Sequence, residues 1–218
     1  MAKNKDKGKD KKADKANDKS ADKGKGKSTV SAKDRVVLED CRGLWLYIKE
    51  PRPLNDEDKN DEDKDPQYEM TVLLDEKKQK KSIAKVEALV MAVAKDNGLK
   101  PKDDWLSPIK SGDAEYKKRK KKGKDAEKAL QGMVVLKLKT YYKPDVVNQS
   151  NETAMPEDWQ EMGFSGCYFN VSLTAKHYDY KGNEGVRLQL GNVMFRREGK
   201  RIGGGVSAQS EFSKYADD

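Results

Sequence analysis

The chain has one histidine and two cysteines in 218 residues. A zinc site draws several ligands from Cys and His, and this supply does not make a familiar set. No Ser-His-Asp arrangement can be proposed either, because His177 would have to serve alone; on strand parity it sits on a core face beside Asp179, as a hydrogen-bonded structural residue. Gly203 to Gly205 are not followed by the Gly-Lys-Ser/Thr of a phosphate loop. The acids between 56 and 65 lack the ligand-and-glycine spacing of a calcium loop. No apolar run approaches the roughly 18 residues of a membrane span. Cys41 and Cys167 have no motif spacing, which fits a reduced, cytosolic setting. These absences argue against an enzyme, a metal site and a cofactor.

Charge is what the chain has in excess. Charged residues make up 39% and hydrophobic ones 34%, whereas an ordinary globular chain is about a quarter charged. Residues 1 to 29 carry eleven lysines and five aspartates, with no aromatic residue and no aliphatic larger than Ala after Met1. Such a segment buries too little apolar surface to offset its ordering entropy. It holds +6 of the net +8. Residues 1–33 are therefore expected to form a disordered lysine-rich tail, either a solvated tether or an arm for nucleic acid. Residues 34–206 are expected to fold as one domain, and 207–218 to form a flexible acidic and aromatic tail.

Within the domain, alternation marks the strands. "VVLEDCRGLWLYI", 36 to 48, reads as one strand or as two bent at Gly43. The next is "QYEMTVLLD", 67 to 75, after a loop with seven acids between its prolines. Residues 80 to 97 carry Ile83, Val86, Val90 and Val93 at helical spacing, widened by Leu89 and Ala94, and Gly98 stands where a C-cap belongs. Residues 100 to 131 look irregular, including "KKRKKKGK" at 117 to 124. "GMVVLKLKTYY", 132 to 142, turns Val134, Leu136 and Leu138 inward. Residues 143 to 163 read as a loop. In "GCYFNVSLTAKHYDY", 166 to 180, Cys167, Phe169, Val171, Leu173 and Ala175 share a face. A Gly-bounded turn leads into "VRLQLGNVMF", 186 to 195, with Val186, Leu188 and Leu190 inward and a bulge expected at Gly191. The fold class is mainly β with one helix: a curled, OB-like barrel of five to six strands, since strands this long favour a barrel over a flat sheet.

The outward positions are cationic and aromatic. Lys137, Lys139 and Tyr141 lie on one strand, Tyr168, Lys176, Tyr178 and Tyr180 on the next, and Arg187 and Gln189 on the last. If these strands are neighbours, they form one surface of the kind that single-stranded nucleic acid needs. Cations neutralise phosphates, and rings stack on unpaired bases for about 1 to 3 kcal/mol each. Trp45 and Tyr47 share a face of the first strand and either extend this surface or, for Trp45, belong to the core. A non-enzymatic protein-interaction scaffold with charged arms is the alternative reading.

The stretch from "GFSGCYFNVSLTAKHYDYKGNEGVRLQLGNVMF" to "GGGVSAQSEF" resembles a family of tailed-bacteriophage single-stranded-DNA-binding proteins with an OB-fold. The likeness rests on the "GCY" strand start, the polar Tyr-rich strand, the "GN-G" turn, "L-NV" and the "GG" ending before an acidic, aromatic tail. It extends more weakly to "YEMTVLLDE" and "SPIKSGD". The resemblance implies sequence-tolerant binding of single-stranded DNA in phage replication or recombination, in the cytoplasm of an infected bacterial host. An OB barrel places its helix after three strands, whereas only two precede it here unless residues 36 to 48 count as two. In the tail, Phe212, Tyr215, Asp217 and Asp218 form a candidate contact for replication proteins of phage or host.

Overall fold

A computed structural model describes residues 35–53, 65–100, 107–123, 127–180 and 182–203, together with Phe212 and Tyr215. The lysine-rich N-terminal tail and the acidic stretch 54–64 lie outside the described residues, as do Asp217 and Asp218.

β1 (Val36–Arg52) is one strand long enough to serve two partners. Its first half pairs with β6 (Tyr168–Tyr180), and from Arg42 onward it pairs with β2 (Gln67–Asp75). The bends that allow this are not at Gly43. Register shifts fall between Leu38 and Cys41 and between Leu44 and Tyr47, where Asp40 and Trp45 take φ of 48° and 51°. Non-glycine residues in that region cost about 1 kcal/mol or more, so the surroundings must hold them. Asp40 N–H donates to Asn170 Oδ1 at 2.9 Å, and Trp45 N–H to Ser165 Oγ at 2.9 Å. Gly43 has a different task. A Cβ there would come within 2.7 Å of the Phe169 ring, so glycine lets β1 lie close on the core.

After β2 come α1 (Lys80–Asp96), β3 (Ile109–Ser111), α2 (Gly112–Lys121), a 3-10 turn (Lys128–Leu130), β4 (Met133–Thr140), β5 (Val146–Val147) and α3 (Trp159–Met162). β6 and β7 (Asn183–Arg197) complete the order. The stretch that looks irregular in sequence thus holds β3 and α2, and the loop 143–163 holds β5 and α3. The sheet runs β3-β4-β2-β1-β6-β7-β5, and a parallel pairing of β4 with β7 closes β1, β2, β4, β7 and β6 into a barrel. The covering helix falls between the second and third barrel strands, because β1 is a single strand.

The inward faces match the alternation. Leu38, Met70, Val72, Leu136, Leu138 and Phe169 are fully buried. α1 lays Val86, Val90 and Ala94 on that core, and Gly98 has φ of 78° just past its end. β6 and β7 form a long hairpin with two register shifts, one between Tyr168 and Phe169 and one between Val171 and Leu173. Leu173 pairs with Leu190 but Val171 with Val193, so Ser172 faces both Gly191 and Asn192. Ser172 Oγ accepts from Asn192 N–H at 2.7 Å. A Cβ on Gly191 would meet that Oγ at 2.4 Å.

Candidate nucleic-acid interface

The ladders set one outward residue of each barrel strand in a common row. Tyr47 pairs with Glu69, Glu69 with Lys139, Lys139 with Gln189, and Gln189 with Thr174. One step along, Lys176 pairs with Arg187, and beyond it Tyr178 with Gly185. β7 lies between β4 and β6, so the three strands expected to be neighbours are neighbours. Lys137, opposite Thr71, shares the outward side of β4 with Lys139 by alternation, and Tyr141 follows in the bend just past the strand's end.

Access differs among these residues. Tyr47 is 36% and Tyr141 50% exposed, and Lys139 and Arg187 are exposed. Lys176, Tyr178 and Gln189 are half-buried. Gln189 Oε1 is buried without a hydrogen-bond partner among the described residues. Tyr142, which sequence reasoning passed over, is exposed beside Tyr141. Tyr180 extends the aromatic edge at the hairpin tip.

A carboxylate sits among these cations. The Glu69 side chain is 8% exposed and reaches Lys139 Nζ at 3.2 Å and Arg52 at 3.5 Å. A buried charge of this kind needs its partners. The pairs fix where Lys139 and Arg52 stand, and they also offset part of the positive field that a polyanion meets.

The same outer wall is roofed toward β3. Leu44, Leu73 and Val135 form a second apolar cluster with Leu130 and Ile202, and Trp45 and Tyr116 pack against it. α2 supplies the roof through Gly112, Glu115, Tyr116 and Arg119, which recur at helical spacing and are all at least half-buried. Arg119 Cζ lies 3.9 Å over the Trp45 ring. Trp45 is therefore on the outer side but under this roof, and one ring face is taken. Lys137 is half-buried beneath it. Burial holds the Lys137 ammonium below its usual range, opposed first by Glu115 and reinforced by Lys110.

Tyr168 stands apart from the other tyrosines. It lies ten residues before Tyr178 on β6, about 30 Å along an extended strand. Arg197 Cζ stacks 3.5 Å from its ring centre and Arg42 Cζ lies 5.9 Å away. The expected gathering of Tyr168 with Tyr178 does not occur, because β6 carries them to opposite ends of the barrel.

His177 Nε2 lies 2.8 Å from Glu184 Oε1 across the hairpin, the hydrogen-bonded role its parity suggested. Cys41 and Cys167 are free and buried. Among the described residues no group of three or more His, Cys, Asp or Glu is placed to hold a metal, and no helix is long and apolar enough to cross a membrane. Phe212 and Tyr215 in the tail are exposed.

The family model described as the Enterobacter phage Enc34 ssDNA-binding protein matches residues 34–218. Among solved structures, the bacteriophage Enc34 single-stranded DNA-binding protein in complex with ssDNA is similar with a TM-score of 0.65 at 18% identity, covering 79% of this chain and 91% of that one. A further structure of the bacteriophage Enc34 single-stranded DNA-binding protein gives a TM-score of 0.59 at 19% identity, over 84% of this chain and 91% of that one. Its C-terminal truncation gives 0.60 at 19%, over 78% and 89%. No curated protein sequence matches the chain. At such identities the structural likeness speaks for the barrel, and the family match, over residues 34–218, speaks for kinship along all the described residues.

Proposed function

The chain belongs to the family of the Enterobacter phage Enc34 ssDNA-binding protein, and from that premise we propose that it binds single-stranded DNA with little sequence preference. Lys139, Lys176 and Arg187 contact phosphates, with Lys137 contributing charge from beneath its roof. Tyr47, Tyr141 and Tyr178 stack unpaired bases, and Gln189 lies between them as a polar contact. The observation that carries this reading is the row Tyr47–Glu69–Lys139–Gln189–Thr174, with Lys176–Arg187 beside it. That row brings Tyr47 beside Lys139, Lys176 and Arg187, with Tyr178 two residues beyond Lys176, which suits a flexible strand that offers a charged backbone and open π-faces. Duplex reading asks for an inserted helix or ribbon bearing base-edge donors, and the apolar stripe of α1 is spent on the core.

The role is coating rather than catalysis, in phage DNA replication or recombination, in the cytoplasm of an infected bacterial host. The exposed Phe212 and Tyr215, with Asp217 and Asp218 beyond them, serve as a contact for replication proteins. The test is a tryptophan and tyrosine fluorescence titration with single- and double-stranded oligonucleotides over a salt series. The reading expects preference for single strands and an affinity that falls steeply with salt. Equal affinity for both forms, or binding indifferent to salt, would overturn it.

A further inference from the structure

We propose that α2 is a second phosphate-binding track, which carries the DNA strand onward from the tyrosine-bearing wall; this rests on the reading of that wall as a single-stranded-DNA site. The helix faces the barrel with Gly112, Glu115, Tyr116 and Arg119, and turns Lys117, Lys118, Lys120, Lys121 and, at its cap, Lys122 to solvent. Among the described residues none of these five lysines has an ion-pair partner. The helix's own acids are engaged elsewhere: Glu115 lies 3.7 Å from Arg119, and Asp113 accepts from Gly132 N–H at 3.3 Å.

Such crowding is unfavourable for the protein alone. Lys117 with Lys121, and Lys118 with Lys122, are like charges one helical turn apart, each pair costing some tenths of a kcal/mol. The helix dipole favours cations in the last turn, which accounts for one or two lysines rather than a solid face of them. Nor is the segment a loose tether. Ser111 caps its start by accepting from Ala114 N–H, and Tyr116 and Arg119 pin it to the second cluster and to Trp45. Gly112 sits so close to the Leu130 carbonyl that a Cβ would meet it at 1.8 Å. The lysines are thus held on a rigid rod of ten residues, about 15 Å long. That length matches about four phosphates of a stacked strand.

Continuity of charge names the occupant. Lys110 on β3 pairs with Val135 on β4, two residues from Lys137 and four from Lys139 in the site row, and β3 runs directly into α2. Cations therefore recur along one side from Lys139 through Lys137 and Lys110 to α2, with Glu69 and Glu115 among them, and a strand leaving the tyrosines finds its next counter-charges there.

The test compares the full chain with a variant carrying Lys117→Gln, Lys118→Gln, Lys120→Gln, Lys121→Gln and Lys122→Gln, and with the same five positions changed to Arg. Two oligothymidines are used, one of about 8 nucleotides, within the footprint of a single OB fold, and one of about 30. The Gln variant should bind the short strand like the wild type. It should bind the long strand at least about tenfold more weakly, with the salt slope shallower by about 0.7 for each phosphate no longer neutralised. The Arg variant should bind both like the wild type. Unchanged binding of the long strand by the Gln variant overturns the inference, and so does equal loss on both lengths. Wild-type chain that binds neither length overturns the parent reading, and the inference with it. Thermal melting of all three proteins reports on folding, which exposed lysines should leave intact.

Discussion

The guanidinium of Arg197 stacks 3.5 Å from the centre of the Tyr168 ring while its Nη2 reaches Asp40 at 2.8 Å. Three strands meet there: β7 through Arg197, β6 through Tyr168 and β1 through Asp40. The arrangement helps hold Asp40 in its left-handed conformation. The hydrogen bond to Asp40 keeps the guanidinium even above its usual range. Tyr168→Leu should therefore lower stability by about 1 kcal/mol, the scale of an exposed cation–π interaction, with single-stranded DNA affinity almost unchanged. Urea unfolding and an oligonucleotide titration on the same sample check this. A loss of affinity at unchanged stability would put the ring in the path of the DNA.

Glu69→Gln removes the only carboxylate in the Tyr47–Thr174 row and keeps its shape. Lys139 and Arg52 then act on the ligand without an internal counter-ion. Single-stranded DNA affinity should rise about threefold at low salt, with a steeper salt dependence. Reduced affinity would mean that Glu69 matters chiefly by positioning Lys139.

The bulge on β7 has no room for a side chain at Gly191. A Cβ there would press on Ser172 Oγ at 2.4 Å and on the Ser172 carbonyl oxygen at 2.9 Å. Gly191→Val should destabilise the fold by about 2 to 4 kcal/mol and disturb the β6–β7 register that sets Arg187 against Lys176. Urea midpoints measure the first effect, and amide exchange along β6 the second.

Burial pushes the Cys41 thiol up to about 12 and the Cys167 thiol up to about 11, from an ordinary value of 9.0. Between those limits the unfolded chain releases protons that the folded chain keeps. Stability is thus fully present below about pH 9 and declines as pH rises toward 11 to 12. In urea unfolding at about pH 8, 9 and 10, the double variant Cys41→Ala and Cys167→Ala should show a shallower decline than the wild type. Parallel curves would contradict burial of the thiols.

The barrel strands and α1 were legible because their inward residues are apolar at a clean period. Val86, Val90 and Ala94, or Phe169, Val171 and Leu173, announce a face without help from the rest of the chain. α2 was not legible for the same reason: its packing stripe is Gly112, Glu115, Tyr116 and Arg119, with a tyrosine as the one large ring and no aliphatic residue. The bends in β1 fell at Asp40 and Trp45, where no glycine marks them, because hydrogen bonds to Asn170 and Ser165 supply the support. Outwardness of Lys139 and Arg187 follows from parity alone. The covering of Trp45 and the isolation of Tyr168 do not, since they depend on Arg119 and Arg197, which arrive from distant parts of the chain.

The most direct measurement of the central claim is single-stranded oligonucleotide binding by the double variant Tyr141→Ala and Tyr178→Ala, with far-UV circular dichroism to verify the fold. Two stacked bases at about 1 to 3 kcal/mol each predict a loss of at least about thirtyfold in affinity. A folded variant that binds as tightly as the wild type would contradict the account and leave the barrel as a scaffold for its charged arms.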